Sequence, residues 1–214
     1  MIMRWPSVVW SDRRDQVKTN HTDHIAELVE TACTAETNQF GYGIWSHHIL
    51  PMSRLAPVLA RLHDADEELV VIAVLLHDYA GIKDPEMVAQ HHVHGAEEAR
   101  ALLSEAGYPQ ERIGIIADAI LNHRGSVPGI RKTAEARCLA DCDAIVHLQE
   151  LPSLLRMAYA EKGMGIDEGA RWVLQKVERD WAKLSPIGKE YIRSTYQAAI
   201  TILGAGADPS PSDE

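Results

Sequence analysis

Phenylalanine is almost missing from this chain, with one in 214 residues. Its core must therefore come from Leu, Ile, Val and Ala. Cysteine is scarce too. Cys33, Cys138 and Cys142 form no CxxC pair and are odd in number, which excludes a disulfide framework and fits small buried thiols in a reducing compartment. Positive charge is lacking, and the formal net charge is −10. Backbone binding to nucleic acid needs clustered Lys and Arg, so a nucleic acid polymer is not the expected partner. A small phosphate ligand stays open, because a bound metal can reverse the local field. Long apolar runs are absent as well. The longest, Leu69 to Leu76, is too short to cross a bilayer. The opening MIMRWPSVVW has neither an apolar signal core nor a small-residue cleavage site. These absences lead to the expectation of a soluble, cytoplasmic protein without a membrane partner.

Internal repeats, linkers and period-two alternation are also missing. VVIAV has strand composition, but it runs into LLHDYAG without a turn signal. What is there is helical periodicity. The predicted helices are Asn20–Gln39, Ile44–Leu62, Glu67–Asp78 with Asp66 as its cap, Pro85–Ala106, Pro109–His123, Thr133–Leu151, Pro152–Lys162, Ile166–Leu184 and Pro186–Leu203. The fold class is thus all-α, with one helical domain over residues 20–203. Gly125, Pro128 and Gly129 mark a loop. The segment before Asn20 reads as irregular or a short helix, and Gly204–Glu214, rich in Gly, Pro, Ser and Asp, as a disordered tail.

Eleven histidines are a rich supply of imidazole. His77 and Asp78 follow the most apolar helix, where side chains leave the core for a cleft. Both can bind one cation, imidazole suiting transition metals and carboxylate suiting harder ions. A lone His-Asp pair is more often a solvated helix end. His48 alters that balance, because it shares a stripe with Met52, Leu55 and Leu59 and so faces inward. Helices joined by a short connection pack antiparallel, which brings His48 toward His77.

The stretch HILPMSRLAPVLA from His48, followed by EELVVIAVLLHDYAG, resembles the HD-domain superfamily of metal-dependent phosphohydrolases. The resemblance spans Trp45 to Leu148. It implies an HD-domain helical bundle with additional C-terminal helices, and His48, His77, Asp78 and Asp143 as metal ligands. His47 is the alternative to His48. ARCLADCDAI resembles the family's last-ligand stretch, where Asp143 gives the better register and Asp141 competes; residues two apart on a helix point to nearly opposite sides, so only one reaches the metal. HHVHGAEEARALL and ADAILNHRG resemble the family's further histidine stretches and single out His91 and His123 as cleft residues or ligands of a second metal, over His92 and His94.

The implied cofactor is one divalent ion, or two, from among Mn, Co, Ni, Zn, Mg and Fe. The implied reaction is hydrolysis of a phosphoester or phosphoanhydride in a nucleotide or other small phosphorylated metabolite. Asp78 would both ligate and orient the water. Lys83 and Arg124 are candidates to hold the substrate phosphate. Arg131, Lys132, Glu97 and Glu98 read as surface charges. Two other readings stand beside this one: a di-iron oxygenase of the HD type, which requires His91 and His123 both to be ligands, and a non-catalytic metal- or nucleotide-binding module. The helices after Leu148 are expected to complete the bundle, with Trp172, Leu174 and Val177 as a buried face or a homodimer contact.

Overall fold

In the computed structural model, which describes residues 21–125 and 131–205, all regular structure is helical and no strand occurs among the described residues. The helices are α1 (His21–Cys33), α2 (Leu50–His63), α3 (Glu67–Leu76), α4 (Tyr79–Lys83), α5 (His91–Glu105), α6 (Gln110–Asn122), α7 (Ala134–Gln149), α8 (Leu151–Arg156), α9 (Ile166–Lys183) and α10 (Pro186–Ala205). The residues before His21 and the Pro128–Gly129 turn lie outside the described residues, as does the expected tail from residue 206. Gly204 and Ala205 still belong to α10.

Local chemistry explains where boundaries differ from expectation. α1 stops at Cys33 because Asn38 turns the chain: its amide donates to the Cys33 and Gly41 carbonyls at 2.9 and 3.0 Å and accepts from Phe40 N–H. Gly41 then takes a left-handed φ of 62°. α2 is preceded by a π-helical turn over Trp45–Ile49, in which Leu50 N–H reaches back to Trp45. Pro51 has no N–H for the His47 carbonyl, and its ring crowds that carbonyl, so the turn widens just where His48 sits. α3 begins at Asp66, whose carboxylate accepts from Leu69 N–H as expected. It ends one residue before His77. Asp78, with φ −105° and ψ 0°, separates it from α4.

α3 is the buried centre of the bundle; Leu69, Val70 and Ile72–Leu76 are all inside. α1, α2, α6 and α7 pack around it, and α9 and α10 pack on α7. Val177 is fully buried, while Trp172 and Leu174 rest partly buried on the core. The three cysteines are buried free thiols. One carboxylate ties the start of α10 to the rest. Asp141 on α7 accepts from His63 at 2.9 Å and from the Ser185 backbone and hydroxyl at 2.8 and 2.5 Å. Gly188 makes room for this, since a Cβ there would lie 2.6 Å from the Asp141 carboxyl.

Candidate metal centre

Three histidines are aimed in the same way. Nδ1 of His77, His91 and His123 lies 2.7, 2.9 and 2.6 Å from the carbonyl three residues earlier, on Val74, Val88 and Ile120. A carbonyl can only accept, so each Nδ1 carries the proton and each Nε2 is the free donor atom. The three Nε2 atoms converge around Asp78, and His91 and His123 line the cleft. His77 Nε2 is 3.2 Å from His48 Nε2 and 3.1 Å from Asp78; His91 Nε2 is 3.3 Å from His123 Nε2 and 3.4 Å from Asp78. His48 also approaches Asp78 at 3.5 Å and Asp143 at 3.4 Å.

The elements make this convergence possible. The π-turn carries His48, the α3–α4 break carries His77 and Asp78, the start of α5 carries His91, and the end of α6 carries His123. α5 can lie this close because Gly95 faces the His77 carbonyl; a Cβ there would be 3.0 Å from that oxygen. His48, His77 and Asp78 form one group able to hold an ion, and Asp78, His91 and His123 form another. Neutral imidazoles with their second nitrogen already satisfied, joined by carboxylates, suit a borderline divalent cation.

Asp143 enters the cluster, and Asp141 points away to His63 and Ser185. Of the alternatives, His47 is exposed beside Ser46, His92 is buried outside the cleft, and His94 sits beside Glu97. Arg124 lines the cleft while donating to the Ala89 carbonyl at 2.6 Å. Lys83 departs from expectation: its ammonium pairs with Glu98 at 2.8 Å, and it is not among the cleft-lining residues. Arg131 is not a plain surface charge either, since it donates to the His123 and Arg124 carbonyls at 3.3 Å and braces that turn.

Sequence reasoning missed a second layer. His147, one helical turn beyond Asp143, stacks on His48 with ring centroids 4.8 Å apart and forms a third ion-competent group with His48 and Asp143. Its Nδ1 is 3.2 Å from Asp180 and 3.0 Å from Lys176. Lys183, its side chain only 4% exposed, pairs with Asp143 and lies 3.6 Å from Asp180. The i,i+4 spacing of Asp143 and His147 was visible in the sequence; the approach of α9 was not.

The charges respond strongly to burial. Burial would push the Asp78 and Asp143 carboxyls up, but the charge of His77 holds Asp78, and the Lys183 ammonium holds Asp143, well below the usual carboxylate range. Burial lowers His48 and His123. His77 is lifted to about 9, the Asp78 charge overcoming its desolvation. The cluster opens onto a cleft of about 1030 Å³, a size suited to a small-molecule ligand. Phe40, Tyr42 and Ile44 line it together with Lys176, Arg179 and Lys183.

The chain is thus an all-α bundle with a His/Asp cluster at its cleft that could hold a metal ion. Residues 45–147 match the HD domain family, so this segment of the chain is an HD domain. Two solved structures share the fold. One is Bacillus subtilis YpgQ in complex with ADP, 18% identical, covering 86% of this chain and 94% of its own, with a TM-score of 0.61. The other is a predicted HD superfamily hydrolase from an uncultured Thermotogales bacterium, 17% identical, covering 85% and 92%, with a TM-score of 0.53. No curated protein matches the chain. Among the described residues no helix is long and apolar enough to cross a membrane.

Proposed function

We propose that the protein is a metal-dependent phosphohydrolase acting on a nucleotide or another small phosphorylated metabolite. The observation that carries this reading is the convergence of backbone-locked histidine Nε2 atoms with Asp78 and Asp143 at the floor of one cleft. His48, His77, Asp78 and Asp143 would hold one divalent ion, and Asp78 with His91 and His123 would hold a second. A bound divalent cation makes a water nucleophilic near neutral pH and draws charge from a phosphoryl oxygen.

The chain's own residues do the rest. Asp78, held ionised, would accept a hydrogen bond from the attacking water and orient it. Arg124 sits at the cleft wall, where its remaining N–H groups can hold phosphate oxygens. Phe40 and Tyr42 offer aromatic surface to the rest of the substrate. The complex of YpgQ with ADP supports a nucleotide as the first compound to try.

The test is a panel of nucleoside mono-, di- and triphosphates and sugar phosphates with Mn, Co, Ni, Zn or Mg. Release of phosphate or pyrophosphate, abolished by Asp78→Asn, is the expected result. No turnover by metal-loaded protein on any of them would leave a binding module. The Asp78–His91–His123 group also favours a second reading, a di-iron oxygenase. Two irons per chain and oxygen consumption without phosphate release would move the assignment there.

A further inference from the structure

Helix α9 lies outside the segment that matches the HD domain, yet one face of it lines the cleft. Trp172, Lys176, the adjacent Arg179 and Asp180, and Lys183 fall at three- and four-residue steps along that face. From Lys183 to Lys176 the helix rises about 10 Å. Lys183 is the deep end and is taken up by Asp143. Further out, Lys176 donates to both oxygens of Asp180 at 2.7 and 2.9 Å and approaches His147 at 3.0 Å. Two of its contacts go to one carboxylate, so it can turn one proton to an incoming oxygen. Arg179 is exposed, lines the same cleft and has no ion pair among the described residues.

The balance of charge says what this face is for. Asp78, Asp143 and Asp180 are three carboxylates against two ammonium groups, Lys176 and Lys183, and the His77 imidazolium, so the metal-free cluster is close to neutral. A divalent cation makes it positive, and Arg179 adds a further charge. Those positive charges extend about two helical turns beyond Asp143, farther than a single metal-held phosphate needs. A substrate with one phosphate would leave Arg179 without an anionic partner and Lys176 with Asp180 alone.

We propose that Lys176 and Arg179 form a second phosphate subsite beyond the metal centre, so that the preferred substrates carry two or more linked phosphates. This rests on the phosphohydrolase reading, and the lysine and arginine act as substrate-positioning residues. Metal loading adds positive charge to the cleft and so strengthens anion binding at this subsite.

Calorimetric titration of Mn-loaded protein with methylenediphosphonate and with methylphosphonate tests it. Wild type binds the diphosphonate about tenfold more tightly than the monophosphonate, and Arg179→Ala and Lys176→Ala together remove the preference. Lys176→Arg retains it, which separates loss of the cation from disturbance of Asp180. In turnover, Arg179→Ala raises KM for a nucleoside diphosphate with kcat little changed. Equal binding of the two phosphonates by wild type, or an intact preference in the double variant, overturns the subsite even if phosphate esters are hydrolysed. A preference lost in the double variant, with no turnover of any substrate, keeps the subsite and refutes the phosphohydrolase instead.

Discussion

Asp141 and Asp143 are two residues apart and do unrelated work. Asp143 meets His48 and Lys183 in the cleft, while Asp141 is a buried anchor joining α2, α7 and the start of α10. Asp141→Asn should therefore destabilise the fold by about 3 kcal/mol in urea unfolding, by breaking a buried hydrogen-bonded pair, while metal uptake by the folded protein persists. That only one of the two reaches the cleft was legible in the sequence, since helical residues two apart face nearly opposite sides, and the preference for Asp143 came from the register of the family resemblance. The anchor was not, because His63 and Ser185 are remote in the chain. Gly95 is a further case. The resemblance singled out the HHVHGA stretch, but only the structure gives the glycine's reason, which is the His77 carbonyl. Gly95→Ala should cost about 1–3 kcal/mol and weaken metal binding, as α5 shifts and carries His91 with it.

At the scale of elements, the helices predicted from periodicity are present, the short α4 occupies a stretch read as a break at Gly81, and several other differences fall where backbone hydrogen bonding departs from α geometry. The π-turn before α2 reflects Pro51, and the early end of α1 reflects Asn38. Helix–helix contacts lie beyond what periodicity can read. α9 was expected simply to complete the bundle, yet it sends Lys183 to Asp143. Lys183→Met should leave the buried Asp143 carboxylate without its cation and cost about 3 kcal/mol in metal-free protein. A bound divalent ion compensates the same carboxylate, so Mn should raise the melting temperature of this variant more than that of wild type. Equal shifts would mean that Lys183 and the metal do not share Asp143.

For the whole molecule, the buried ionisable cluster sets how metal-free stability depends on pH. His48 and His123 have folded pKa values below the ordinary 6.5, so the unfolded chain takes up protons first and stability falls as pH drops below about 6.5. Asp78 and Asp143 are depressed below 3.8; their contribution is complete above that value and is lost as pH falls further. His77 works the other way. Lifted to about 9, it contributes fully below 6.5 and loses that contribution as pH rises through about 9. Urea midpoints in EDTA should thus peak near pH 6.5, falling on the acid side through His48 and His123 and on the alkaline side, up to about 9, through His77. Metal should remove the alkaline loss, because the ion takes the place of the His77 proton.

The central claim is that His48, His77, Asp78 and Asp143 hold a divalent ion. Calorimetric titration of metal-free protein with Mn, comparing wild type with Asp143→Ala and Asp141→Asn, tests it most directly. Saturable binding by wild type and Asp141→Asn, lost in a folded Asp143→Ala, is the result predicted. No binding by wild type, or binding by Asp143→Ala equal to wild type, would contradict it.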